Sequence, residues 1–281
     1  MANVVEVNDL SFVYPDGSRA LNGISFSIRE GSRVAILGPN GAGKSTLLLH
    51  LNGLNLPQQG TVRVLERKVD RKTEKWVRTV VGMVFQDPDD QVFSATVWDD
   101  VAFGPLNMGL ADDEIVSRVE RALQAVGMFE HRDKPPYNLS YGQKKRVAIA
   151  GVLAMEPKVI VLDEPNAFLD PAGKKQVVRI LENLHQRGIT IIIATHDVDL
   201  AAEWADQVII IKDGKIIAEG EPWLLTDKKL VEEASLRYPL VAQIFLAMPE
   251  FKINPVPLTV EQAIKAMRRF LNAQISNKAI L

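Results

Sequence analysis

"RVAILGPNGAGKST", Arg33 to Thr46, decides the fold. An apolar run from Val34 to Leu37 enters a glycine-rich turn, and the turn opens directly into a helix-forming stretch from Lys44 to Asn52. The pattern G-x-x-x-x-G-K-[ST] therefore lies where its mechanism needs it, after a buried strand and at the start of a helix. Glycines at 38, 41 and 43 permit a tight path, so the backbone N–H groups of Asn40 to Lys44 can wrap a phosphate. Lys44 then reaches the β- and γ-oxygens of a nucleotide, and Ser45 offers its hydroxyl to Mg²⁺. The expected phosphate-binding set is Gly38, Pro39, Asn40, Gly41, Ala42, Gly43, Lys44, Ser45 and Thr46.

Working outward, three more apolar runs read as buried strands: "VGMVFQ" (81–86), "KVIVLDE" (158–164) and "ITIIIAT" (189–195). Helical patterns at Lys44 to Asn52, Pro171 to His185 and Val198 to Ala205 alternate with them, which argues for a parallel sheet with helices on its faces. "NVVEVNDLSFVY" and "GISFSIREG" read instead as antiparallel strands, and "QVIIIKDGKIIAEG" as a hairpin turning at Asp213-Gly214. Between Thr96 and Gly127 the period becomes helical, with Ile115, Val119, Leu123 and Val126 on one face. The expected class is α/β: a P-loop NTPase core with a mixed, mostly parallel sheet, an antiparallel N-terminal β subdomain, a helical subdomain at about 87–157 and a C-terminal helical extension. That extension, 221–281, is punctuated by five prolines and ends in a helix from Thr259 to about Gln274.

Bulk properties narrow the function. A net charge of −2 over 281 residues gives no global attraction to nucleic acid, and 47% hydrophobic residues suffice for a large core. There are no cysteines, so thiolate metal sites and disulfides are excluded, and His50, His131 and His185 are scattered without ligand spacing, so no transition-metal site is expected. The start lacks a signal-peptide pattern, and no apolar run approaches the roughly 18 residues of a membrane span.

Further polar groups end the apolar strands. "VIVLDEP" places Asp163 and Glu164 at the carboxyl edge of a sheet, where ligands of open α/β folds bind. Asp163 suits the Mg²⁺ shell and Glu164 suits polarising an attacking water. Gln86 can ligand Mg²⁺ and touch that water, and His196 can donate to the γ-phosphate. Taken singly, Gln86 or His196 reads more readily as a satisfied surface residue; their convergence on one edge favours phosphate sensing. Tyr14, thirty positions before Lys44, offers a ring face to a purine or, alternatively, anchors its loop. A second anion-ready turn lies in "NLSYGQKKRVAIA" (138–150): Ser140 can cap a helix, Gly142 lets a ligand approach, and Lys144, Lys145 and Arg146 follow.

In their order and spacing, "GPNGAGKST", Gln86, "LSYGQ", "VIVLDEP", Leu169-Asp170 and His196 resemble the ATP-binding cassette ATPases over about residues 4 to 220. The resemblance implies Mg²⁺ with ATP as the cofactor and substrate pair. It also implies a second ATPase subunit, identical or paralogous, packed head to tail, with Ser140, Gly142 and Gln143 contacting the ATP held by that partner. Asp170 would help couple the two sites. "QDPDDQVFSATVWDDVAFGPLNMGL" (86–110), "QKKRVAIAGVLAMEP" (143–157) and "THDVDLAAEWADQV" (195–208) are similar to the ATPase subunits of energy-coupling-factor importers, most of all the cobalt/nickel members. This implies a transmembrane coupling protein, a separate membrane protein that captures substrate, a peripheral position on the cytoplasmic face of the membrane, and no nucleic-acid partner. The extension after Gly220 would serve dimer contacts. Phe85, Phe93 and Phe103, rimmed by Asp89, Asp90, Asp99 and Asp100, would receive the coupling helices, unless the phenylalanines are core and the acids merely solvated.

Two departures from the family pattern stand out. Tyr141 occupies a position where a glycine is common, and "NAFLD" (166–170) carries Asn166 and Phe168 in a run of usually small residues. Rival readings are an importer for a vitamin, a soluble cassette ATPase acting on nucleic acid or ribosomes, and a regulatory module that holds ATP without turnover. The intact Glu164 speaks against the last, and the absence of a long arm insertion or second cassette against the ribosomal one.

Overall fold

The structure, a computed structural model, describes residues 2–251 and 253–278, with side chains to residue 272. Residues 252 and 279–281 of the expected extension lie outside the described residues. Two sheets organise the chain. Strands β1 (Asn3–Val13), β2 (Arg19–Arg29), β4 (Gln59–Val64) and β5 (Arg67–Lys68) form an antiparallel sheet in the order β2-β1-β4-β5. Strands β3 (Arg33–Leu37), β6 (Val81–Val84), β7 (Val159–Asp163), β8 (Thr190–Thr195), β9 (Gln207–Lys212) and β10 (Lys215–Gly220) form the second, in the order β10-β9-β3-β8-β7-β6. Its pairs are parallel except the β9–β10 hairpin. That hairpin turns at Asp213 (φ 49°) and Gly214 (φ 72°), the two positive φ values that a tight two-residue turn requires.

The central strands are apolar on both faces because both faces are covered. Val34 and Ile36 point into one core with Leu47, Leu48 and Leu51 of α1 (Lys44–Leu51) and the inner face of the antiparallel sheet. Ala35 and Leu37 point into the other, with α5 (Tyr141–Leu153), α6 (Pro171–Gln186) and α7 (Val198–Trp204). Between β6 and β7 the helices α3 (Val97–Asn107) and α4 (Asp112–Ala125) pack with α5, burying Ile115, Val119, Leu123 and Val126 as their spacing predicts.

Some boundaries differ from expectation. The strand expected to reach Gln86 ends at Val84, because the Gln91 side chain replaces the ladder: its Oε1 accepts from Phe85 N at 3.2 Å and its Nε2 donates to Met83 O at 3.1 Å. Strands β4 and β5 and helix α2 (Glu74–Val80) were not expected. Past Gly220 the chain carries α8 (Lys228–Glu233), α9 (Leu240–Ala247) and α10 (Val260–Lys278). The segment is fastened to the rest: Leu225, Ala234, Ala242 and Leu258 join the core cluster, and Leu240 N donates to Asp199 Oδ1 at 2.7 Å. Among the described residues no helix is long and apolar enough to cross a membrane.

Candidate functional site

The strand order assembles the site. The segments leaving β3, β8, β7 and β6, four neighbours in the sheet, carry Lys44, His196, Glu164 and Gln86 in that sequence along its carboxyl edge. Neighbouring strands lie about 4.8 Å apart, so four residues scattered over more than 150 positions share one ledge.

On β3 the turn is shaped by close backbone approach. A Cβ on Gly38 would stand 2.1 Å from Ile211 O, and one on Gly43 2.4 Å from Ala20 O. Gly43 is the N-cap of α1, so no side chain caps the helix, and its first amide groups face the turn. Lys44 is buried, its Nζ donating to Gly38 O at 2.8 Å and Pro39 O at 3.1 Å. Burial pulls this ammonium below the usual lysine range, while Glu164 and Asp163 draw it back. Tyr14 is tied to the same helix: its hydroxyl lies 3.0 Å from Thr46 Oγ1, and its ring meets Phe12 edge-on.

Glu164 is the most constrained group. It leaves β7 at φ 42°, an uncommon conformation for a residue with a side chain, and its N–H donates to Ala194 O at 2.8 Å on β8. The carboxylate is then held at both oxygens, by His196 Nδ1 at 2.8 Å and Thr195 Oγ1 at 3.0 Å. Thr195 in turn accepts from Asp197 N at 3.1 Å. Sequence reasoning missed Thr195; the signal was a hydroxyl closing an otherwise apolar strand.

Asp163 hydrogen-bonds to Ser45, and burial, helped by Glu164, pushes it above the usual carboxylate range. With Gln86 it lines a cleft of about 340 Å³. Hydroxyl, carboxylate and amide oxygen make the hard donor set Mg²⁺ favours, and a cation there would lower Asp163 against the upward push of burial. Among the described residues no group of three or more His, Cys, Asp or Glu is placed to hold a metal ion. The residues fit the metal.

The second anion-ready turn is built differently from its reading in sequence. Ser140 caps α5 as expected, in a full capping box: Gln143 N donates to Ser140 Oγ at 3.3 Å, and Ser140 N to Gln143 Oε1 at 2.8 Å. The amide of Gln143, expected on a partner's nucleotide, is thus engaged by its own helix. The three basic residues are also engaged within their own chain, correcting their reading as part of an anion site. Lys144 pairs with Asp89 at 2.6 Å, and Arg146 donates to Val126 O at 3.1 Å. Lys145 is fully buried, donating to Phe85 O at 2.9 Å and Gln86 O at 2.6 Å. Burial brings its ammonium down to about 8, against the pull of Asp163, Asp87 and Glu164. Sequence reasoning missed this role, although Lys145 sits on the apolar stripe with Ala148, Ile149 and Val152. No hydrogen bond, ion pair or ring contact joins the Ser140 turn to the phosphate loop among the described residues.

The remaining expected residues fall as follows. Asp170 caps α6, its Oδ1 accepting from Gly173 N at 2.7 Å. Phe168 stands exposed at φ 59°, and its ring meets Tyr141 edge-on. Tyr141 donates its hydroxyl to Gln86 O at 3.1 Å; burial, then the charges of Asp87, Asp89 and Asp90, push that phenol up to about 12. Phe93 and Phe103 are exposed, stacked edge-on, and with Phe85 line a groove of about 710 Å³. Only two of the four acids expected on its rim, Asp90 and Asp100, line it. Asp99 instead bonds Thr96 at the start of α3, and Asp89 is paired with Lys144.

Comparison with known proteins gives a consistent set. The ABC transporter family matches residues 21–167. The energy-coupling factor transporter ATP-binding protein EcfA of Carboxydothermus hydrogenoformans is 49% identical over 267 residues, covering 95% of this chain and 98% of its own length. EcfA of Methanocaldococcus jannaschii is 53% identical over 244 residues, 86% and 88% of the two chains. Among solved structures, cbiO1 from Clostridium perfringens, described as part of the ABC transporter complex cbiONQ, matches with a TM-score of 0.75 at 44% identity, over 89% of this chain and 97% of that one. A dimeric ATP-binding cassette in a post-hydrolysis state with ADP and Pi matches at 0.71 and 29% identity, over 78% and 98%.

Proposed function

The chain belongs to the ABC transporter family, and on that premise we propose that it is the ATP-hydrolysing subunit of an energy-coupling-factor importer that powers uptake of cobalt or nickel through membrane partners. The observation that carries the reading is the ledge of Lys44, His196, Glu164 and Gln86 on four adjacent strands, with the Glu164 carboxylate fixed at both oxygens. The metal cargo is supported by the segments 86–110, 143–157 and 195–208 and by the likeness to cbiO1.

Each residue then has a task. The amides of Asn40 to Lys44 and the Lys44 ammonium bind the β- and γ-phosphates, exchanging the carbonyls of Gly38 and Pro39 for phosphate oxygens. Ser45, Gln86 and Asp163 would hold Mg²⁺, which when bound neutralises charge on the transferring phosphoryl group. Glu164 orients a water and takes its proton, Thr195 and His196 keeping the carboxylate aimed. His196, exposed on its outer side, also donates to the γ-phosphate. Ser140 and Gly142 face the nucleotide of a second ATPase subunit, with the amides at the start of α5 supplying the positive end of the helix. Tyr14 flanks the base, and Asp170 relays between the sites. The grooved face at Phe93 and Phe103 receives the transmembrane coupling protein, residues 221–281 extend the dimer contact, and the chain works at the cytoplasmic face of the membrane.

The test is to co-express the chain with its genomic neighbours, purify the membrane complex and measure ATP-dependent uptake of labelled Co²⁺ and Ni²⁺ into vesicles. Uptake of either metal that Glu164→Gln abolishes is the expected result. Hydrolysis without movement of either metal overturns the cargo and directs the search to vitamins; absence of hydrolysis overturns the mechanism.

A further inference from the structure

The helix that carries Ser140 reaches back into the same subunit's own site. Two donors four residues apart on one face of α5, the Tyr141 hydroxyl at 3.1 Å and the Lys145 ammonium at 2.6 Å, converge on the single carbonyl of Gln86, and Lys145 also donates to Phe85 O. The Tyr141 ring, at 5.7 Å between centroids, touches Phe168 on the loop between Glu164 and Asp170. One side chain thus joins the loops that follow β6 and β7 to the turn that opens α5.

The energetics mark this as more than packing. Lys145 is wholly buried, and among the described residues no carboxylate forms an ion pair with it. Burying an unpaired ammonium is costly, and an apolar side chain of the same reach would fill the space with less penalty. What the charge adds is two strong bonds to consecutive carbonyls, which fix the backbone that presents the Gln86 amide. The surface pair Lys144–Asp89 spans the same two elements, but an exposed pair contributes little by itself.

Resting on the reading of Gln86 given above, we propose that Tyr141 and Lys145 are positioning residues that lash the Gln86 loop to α5, so that occupancy at Gln86 in one site sets the grip of Ser140 on the partner's nucleotide. The tyrosine at a position where the family commonly has glycine is then the part of the strap that also reaches Phe168.

The full chain carrying Glu164→Gln provides the background, so that dimerisation is read without turnover. Sedimentation velocity against MgATP concentration is compared with nucleotide affinity of the monomer and with thermal melting. Tyr141→Phe and Lys145→Met should each raise the MgATP needed for half-dimerisation by about 5- to 150-fold, the range of ordinary inter-site coupling. Monomer affinity should stay within about twofold, since neither residue touches the phosphate loop. Added to Gln86→Ala, Lys145→Met should produce no further shift, because the strap acts through Gln86. Additive shifts, or a fall in melting temperature with unchanged dimerisation, overturn the strap alone. If Gln86→Ala leaves dimerisation untouched in this background and turnover untouched in the chain with Glu164 intact, the role of Gln86 fails and the strap fails with it. Should Lys145→Met not fold, Tyr141→Phe decides, as it deletes one partly exposed oxygen and nothing else.

Discussion

Gly43→Ala offers the sharpest test of how the phosphate loop is built, because the structure sets two separate costs against it and a nearby glycine pays only one. Gly43 has φ 101°, and a Cβ there would lie 2.4 Å from Ala20 O and 3.1 Å from Leu21 Cδ2. Ordinary contact begins near 3.4 Å, so main chain must move by roughly 1 Å. Ala20 cannot retreat freely: Asn22 N donates to Gly214 O at 2.8 Å, Gly214 N donates to Ala42 O at 3.1 Å, and Gly214 itself packs against Ala20. Conformational strain of about 1–2 kcal/mol and overpacking of about 1–3 kcal/mol together give about 2–5 kcal/mol. Gly41 has φ 81° with nothing within 4 Å of its Cβ, so Gly41→Ala carries only the first cost, about 1–2 kcal/mol. At about 2–4 °C per kcal/mol, calorimetry should show losses of roughly 4–20 °C for Gly43→Ala and roughly 2–8 °C for Gly41→Ala. A loop displaced by 1 Å should also lose about 100-fold in ATP turnover. Ala20→Gly should not rescue the variant, because the obstructing atom is a main-chain oxygen. Equal melting of the two alanine variants, or wild-type turnover in Gly43→Ala, would refute the reasoning.

Other perturbations separate the roles on the ledge. Thr195→Val removes the donor to Glu164 Oε2 and the acceptor for Asp197 N, so stability should fall by about 1–3 kcal/mol and turnover should drop with ATP affinity retained, as titration calorimetry beside a phosphate-release assay would show. Lys44→Ala should weaken nucleotide binding itself; unchanged ATP affinity would remove Lys44 from the site. Glu164→Gln should slow hydrolysis by about 10²- to 10⁴-fold and accumulate as a dimer in MgATP; a persisting monomer at saturation would count against the paired arrangement. Asp206 is raised by burial but lowered more by its bonds to Arg33, for a net fall below 3.8. Its folded value is the depressed one, so its contribution is present above the ordinary carboxylate range and lost as pH falls through the folded value. The pair is partly exposed, so Asp206→Asn should cost only about 0.2–1 kcal/mol at pH 7, and its melting curve should converge with wild type as pH falls below that depressed folded value.

Legibility in sequence followed the range of the interactions. The phosphate loop was readable because strand, glycines, lysine and helix are contiguous, and the Asp213-Gly214 hairpin because its turn chemistry is local. Strand β4 escaped because "QGTVRV" earns its place only by pairing with β1, some fifty residues earlier; Gly60, at φ 80°, sits where a Cβ would strike Asp9 O at 2.2 Å. Helix α9 was hidden by prolines read as breakers, yet Pro239 stands at its N-cap, where a missing N–H costs nothing. The largest misreading was Lys144-Lys145-Arg146. Sequence shows three charges beside a capping turn, but only the fold shows that all three are partnered within their own chain.

The Glu164 geometry shows why the ledge depends on sheet register rather than on loop chemistry. Asp163 pairs with Ala194 as the last rung between β7 and β8, and the next N–H, that of Glu164, still bonds Ala194 O while its φ has already become positive. A backbone held in that region costs about 1–3 kcal/mol, and it persists only where surrounding contacts over-determine it. Here they do: one main-chain bond and two side-chain bonds run to three consecutive residues, Ala194 and Thr195 at the end of β8 and His196 just past it. Because β8 also pairs with β3 through Leu37 and Thr195, the carboxylate and the start of the phosphate loop are referred to the same strand. A slip of one residue between β7 and β8 would turn every side chain of β7 to the opposite face and carry Glu164 away from all three partners. The apolar runs that bury both faces of these strands therefore fix the distance between the base and the phosphate it must serve.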